Sequence, residues 1–113
     1  METIEYVLRI TCDRAKIPQV SAILGIVGNA SDDYDWVLKL GETDPGDEYW
    51  RTFINLLEGK YDQLEALGVK RDDITIWLYY GYENQCNFEF HPDQMLALGK
   101  NGIVLCVSCW EAV

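Results

Sequence analysis

Cys106-Val107-Ser108-Cys109 carries the C-x-x-C spacing that thiol-disulfide enzymes and zinc sites use. A redox pair of that spacing gains its reactive thiolate at a helix N-terminus, and a zinc site needs a second pair of ligands. Neither is offered here. The motif falls in an apolar run that reads as a strand, where residues three apart point to opposite faces and the two sulfurs separate. The expectation is structural burial, with no metal and no cofactor. His91 is the sole histidine, so a site built from several imidazoles is excluded. It stands beside Asn87 and Glu89, in a pattern that suits either general-base work or capping of the helix that Pro92 opens. Asp32, Asp33 and Asp35 lack the glycine and closing glutamate of a calcium loop, and Glu42, Asp44, Asp47 and Glu48 read as turn and helix-start residues. Both acidic groups are expected to be solvated, and no catalytic residue is assigned.

Aromatic residues are the stronger signal. The chain has four Trp and seven Tyr, with Trp77, Tyr79 and Tyr82 in or beside one strand-like run and Trp110 near the end of another. If helices cover one face of a sheet, part of this set lies on the other, facing solvent, an extra helix or a partner. Trp77, Tyr79, Tyr82, His91 and Trp110 are therefore the candidate interaction residues.

These residues must be positioned by a single domain spanning 1–113, a length sufficient for a core without staples. Hydrophobic residues make up 49% of the chain and charged ones 25%, which places it among globular proteins. Nineteen acidic residues against nine Lys and Arg give a net charge of −10. That balance excludes nucleic acid and anionic membrane as expected partners and suits a basic protein. Residues 1–6 have neither the basic start nor the apolar core of a signal peptide, and no apolar run approaches the roughly 20 residues of a membrane helix. The expected location is the cytoplasm, with Cys12, Cys86, Cys106 and Cys109 as apolar fillers within strands.

Period-two alternation predicts strands over 3–12, 34–40 and 74–82, then a second hairpin strand with Cys86, Phe88 and Phe90 inward. This hairpin is expected at the middle of the sheet. Residues 103–110, apolar on both faces, read as another interior strand. Residues 28–33 and 41–47 read as loops. Pro18 opens a first helix that stops at Gly25. Trp50, Ile54, Leu57, Tyr61 and Leu64 hold one apolar stripe, so a single helix is predicted from about Asp47 to Leu67, with Gly59 costing about 1 kcal/mol inside it. A third helix runs from Pro92 to Gly99, and Leu24-Gly25, Leu67-Gly68 and Leu98-Gly99 look like a shared C-cap. The last six elements match the split β-α-β-β-α-β order of ferredoxin-like α+β folds, preceded by an extra strand and helix, with helices mainly on one face.

Ile23-Leu24-Gly25, Trp36-Val37-Leu38, Leu56-Leu57, Tyr61-Asp62-Gln63-Leu64, Asn87-Phe88-Glu89-Phe90, Leu96 to Gly99 and Val107-Ser108-Cys109-Trp110-Glu111 carry a family likeness. On these residues the chain resembles the bacterial family catalogued as domain of unknown function 4279. The resemblance implies a small cytoplasmic α+β protein and assigns no catalytic residues.

The expected function is a non-enzymatic protein-binding module, in one form an acidic immunity-type inhibitor of a basic toxin. The alternatives are a small hydrolase or ligand-binding protein using the His91 region, and a structural homodimer across the aromatic face.

Overall fold

Residues Tyr6 to Leu8 and Ile10 are buried almost completely, and the strand that holds them, β1 (Thr3–Thr11), is the middle of the sheet. In this computed structural model, which describes residues 2–32, 34–41 and 48–112, β1 is flanked on both edges by antiparallel neighbours. One is β3 (Asp35–Leu40) and the other β4 (Ile74–Tyr82). A short β2 (Ala30–Asp32) pairs antiparallel with β3, and β5 (Val104–Glu111) pairs parallel with β4. The strand order is β2-β3-β1-β4-β5, an α+β arrangement with a mixed sheet.

Four expectations about the sheet are corrected. The run 83–90 forms no strand and joins no sheet, so there is no central hairpin. The reason is that both edges of β4 are already taken, by β1 and by β5. The run instead crosses apolar surface with Phe88 and Phe90 half-buried against the core and Asn87, Glu89 and His91 exposed. An extended chain on a half-apolar surface alternates just as a paired strand does. The split β-α-β-β-α-β order needs a strand at that place, and the observed pairing departs from it. Residues 28–33 were expected to be loop, yet 30–32 add a short edge strand. β5, expected inside the sheet, is an edge, with Val104, Val107 and Trp110 exposed.

The helices follow from their end signals. α1 (Ile17–Leu24) has Pro18 in its first turn and ends at Gly25, whose N–H bonds the Ser21 carbonyl and whose φ of 76° turns the chain out of the helix. The predicted long helix is two: α2 (Tyr49–Leu57) and α3 (Tyr61–Ala66). Glu58 leaves the helix at ψ 132° and Gly59 turns left-handed at φ 78°. The apolar stripe keeps its phase across the break because Leu57 and Leu64 enter the same core. α4 (Pro92–Lys100) runs straight through Gly99, so the Leu-Gly stop holds at Gly25 and Gly68 but not there. The expected turn at 41–47 lies, apart from Gly41, outside the described residues.

The four α-helices of the described residues pack on one face. Val20 and Leu24 of α1, Phe53 and Leu57 of α2, Leu64 of α3 and Leu98 of α4 meet Leu8, Ile10, Trp36, Leu38, Ile76 and Leu78 in one cluster. Each such side chain contributes about 1.5–3 kcal/mol by leaving water. Val7 and Val37 are also buried, but on the opposite face and outside that cluster.

Candidate functional site

The face of the sheet that the helices leave uncovered takes the alternate residues of each strand. β4 contributes Trp77 and Tyr79, two residues apart, and their rings stack at 5.5 Å with 10° between planes. Both are half-buried. Register puts Val7 opposite Trp77 on one side and opposite Lys39 on the other, so the buried Val7 is covered by side chains of its own sheet.

Arg9 lies beside this stack. Its Nη1 donates to Asp35 Oδ2 at 2.6 Å, and Tyr79 is close enough to act on its charge. Burial by itself would lower the Arg9 pKa, but Asp35 and Tyr79 outweigh it and the net shift is upward. The pair takes Asp35 out of the expected solvated acidic group, its side chain being 14% exposed. Glu48 pairs with Arg51 Nε at 3.3 Å and stays largely exposed. Asp33, Glu42, Asp44 and Asp47 lie outside the described residues, as does the side chain of Asp32.

At the far end of the face, Gly81 is the register partner of Trp110. A Cβ at Gly81 would lie 3.1 Å from the Trp110 indole and 3.0 Å from Thr3 Oγ1, so the missing side chain lets the indole lie down on β4. Trp110 remains 46% exposed, and Val104, on the same face of β5, 53%. The face thus joins a stacked Trp-Tyr pair, a flat-lying Trp and an aliphatic edge, which is how contact surfaces are commonly composed.

Of the expected residues, Trp77, Tyr79 and Trp110 come together and two do not. Tyr82 falls on the helix side of β4, 6.3 Å from the Tyr80 ring. His91 stands at the N-cap of α4 without a side-chain cap bond, largely exposed, with Nε2 3.6 Å from Glu89 Oε2. The contribution of Arg9 and Asp35 was missed. Period-two alternation puts Arg9 on the wetter face of β1, but only the register of β1 with β3 brings Asp35 to it.

Among the recesses of the described residues, two bear on the expected sites. The wider, ≈ 580 Å³, opens between α1 and β3, lined in part by Ile17, Pro18, Ser21, Asp35 and Trp36, and holds none of the five candidate interaction residues. Trp36 Nε1 donates to Ser21 Oγ there at 3.0 Å. The other, ≈ 310 Å³, lies beneath the segment 87–91, with Asn87, Glu89 and His91 among its lining and Tyr49 and Gln94 as polar groups deeper in. Gln94 is 5% exposed and donates its Nε2 to Tyr49 Oη. The C-x-x-C sulfurs point to opposite faces, since Cys106 pairs with Trp77 and Cys109 with Tyr80. The cysteines do not all sit in strands as fillers: Cys12 follows the end of β1, and Cys86 and Cys109 are exposed. Among the described residues no three His, Cys, Asp or Glu converge on a metal site, and no helix is long and apolar enough to cross a membrane.

Compared with known proteins, the chain matches no family model, no curated protein and no solved structure.

Proposed function

We propose that the protein is a non-enzymatic binding module that receives a basic protein on the helix-free face of its sheet. The observation that carries this reading is the gathering of Trp77, Tyr79 and Trp110 on a face that no described helix covers. The net charge of −10 selects the occupant: it draws a basic partner over long range and repels a second copy of the chain. The charges on the face itself balance, Arg9 against Asp35 and Glu5 near Lys39, so the aromatic residues supply the contact and the rest of the surface the attraction. An immunity-type inhibitor of a basic toxin is one form of this reading. The resemblance to domain of unknown function 4279 and a cytoplasmic setting belong to the same proposal.

The test is capture of one basic protein from lysate of the source organism by the wild-type chain, repeated with Trp110→Ala and at rising salt. Truncating a central aromatic in an interface costs about 2 kcal/mol or more, roughly thirtyfold in affinity. Loss of the same partner with the variant and with salt supports the reading. Undiminished capture by the variant overturns it.

The cleft beneath 87–91 favours a second reading, a small-ligand or hydrolytic site with His91 and Glu89 at its rim. Binding or turnover of a small molecule that survives His91→Ala unchanged would remove it.

A further inference from the structure

The two exposed cysteines come from distant parts of the chain and meet. Tyr80 of β4 is the direct register partner of Cys109 on β5, and residues opposite one another in a sheet share a face. The ring of Phe88 stands edge-on against the same Tyr80, centroids 5.0 Å apart and planes at 68°. Phe88 thus anchors the segment 83–91 over the end of the β4–β5 pair, and Cys86, two residues away, arrives at Cys109. Both cysteines act on the Tyr80 hydroxyl, and Cys109 is near enough to Cys86 to push its thiol up. Neither is in a disulfide, and both are open to solvent. The other two cysteines are elsewhere: Cys106 is on the opposite face beside Trp77, and Cys12 lies near Asp13, Lys16 and Asp35.

We propose that Cys86 and Cys109 form a reversible disulfide that fastens the segment 83–91 to the edge of the sheet. The oxidant is a low-molecular-weight disulfide. The Cys109 thiolate attacks one of its sulfurs, the S–S bond breaks, and one small thiolate leaves and takes up a proton. The Cys86 thiol then loses its proton and attacks the Cys109 sulfur of the mixed disulfide, expelling the second small thiolate. Two protein thiols are oxidised and one small disulfide is reduced to two thiols. The neighbouring Cys109 thiol, with desolvation adding to it, pushes the Cys86 thiol up, which suits Cys86 to the second, resolving step.

The bond matters because of what the segment does. Residues 83–90 have no place in the sheet and rest on the contacts of Phe88 and Phe90. They also roof the 310 Å³ cleft, so closing the disulfide would hold that roof down. Low-stability segments of this kind are where local opening concentrates. The inference stands apart from the proposed partner face, which lies on the other side of the sheet.

The test equilibrates the intact protein in graded mixtures of oxidised and reduced glutathione, traps remaining thiols by alkylation and maps the peptides. The expected result is a monomer that loses two of its four alkylatable thiols, with Cys86 and Cys109 in one linked peptide. Cys86→Ser and Cys109→Ser should each abolish the link, and Cys106→Ser and Cys12→Ser should leave it intact. Oxidation should also slow chymotryptic cleavage after Phe88 and Phe90 severalfold in the wild type and not in Cys86→Ser. A Cys106–Cys109 link, a bond between two chains, or four free thiols in the most oxidising mixture would each overturn the proposal.

Discussion

The two faces of the sheet bury their residues by different means. On the helix side, Leu8, Ile76, Phe53 and Leu57 are sealed because a strand layer meets a helix layer. On the other side, Val7 is equally inaccessible, yet what lies across it is the sheet's own Trp77 and Lys39. Burial of the first kind requires the whole fold, and burial of the second requires one or two large side chains lying along the sheet. The covered face should therefore carry the stability, while the open face keeps its aromatic rings available to a partner.

The largest effect that can break this comparison is on the covered side. Phe53 is fully buried, with its ring set edge-on to Tyr49 at 6.4 Å. Phe53→Ala should cost about 3–5 kcal/mol, measured as a lower urea midpoint, because the cavity lies where α2 and the sheet cannot collapse together. Partner capture should be unaffected at temperatures where the variant is folded. Weakened capture under those conditions would mean that the two faces are not independent.

Trp77→Ala comes next. The indole is half-buried, so roughly 2 kcal/mol is expected, about half the cost of emptying a core aromatic site. The loss would come from uncovering Val7 and breaking the stack on Tyr79. The same variant should also lose partner capture, a double effect that Phe53→Ala lacks. A Trp77→Ala protein that unfolds at the wild-type urea concentration would show that the ring does not protect Val7.

Gly59→Ala separates two readings of the helical region by sign. In a continuous helix from 47 to 67 the change would stabilise by about 1 kcal/mol. In the observed break Gly59 is left-handed at φ 78°, and a side chain there costs about 1–2 kcal/mol. A thermal melt decides between them, and a lower midpoint is expected.

This break shows what in the fold could be read from residues alone. Alternation located β1, β3 and β4 closely, because burial of one face imposes period two directly. The stripe Trp50, Ile54, Leu57, Tyr61 and Leu64 could not reveal the interruption, since two helices packed on one core preserve the phase of one. Phe88 and Phe90 alternate with Glu89 on an apolar surface without pairing, and the pattern holds no record of which backbone hydrogen bonds are made. β5 is apolar on both faces and so reads as interior, although it is an edge. In the site, Trp77 and Tyr79 were placed together by parity, and the same parity sends Tyr82 to the other face. Trp110 needed the parallel register with Gly81, and the meeting of Cys86 with Cys109 needed the path of the whole 83–91 segment. Each of these depends on contacts between parts of the chain that no local pattern encodes.

Trp110→Ala should have the smallest effect on stability and is the sharpest probe of the open face. The indole is 46% exposed on the last strand and lies over Gly81, where no Cβ supports it. Removing it uncovers backbone that β4 has already paired with β1 and β5, so no polar group is orphaned. Stability should stay within about 0.5 kcal/mol of wild type, the range of ordinary surface changes. A thermal melt at matched concentration checks that half, and capture of the basic partner checks the other. A variant that melts with the wild type and has lost the partner separates binding from folding at one residue. A midpoint lowered as far as by Trp77→Ala would instead make Trp110 part of the sheet's own cover, and the open face would then be a second core layer rather than a contact surface.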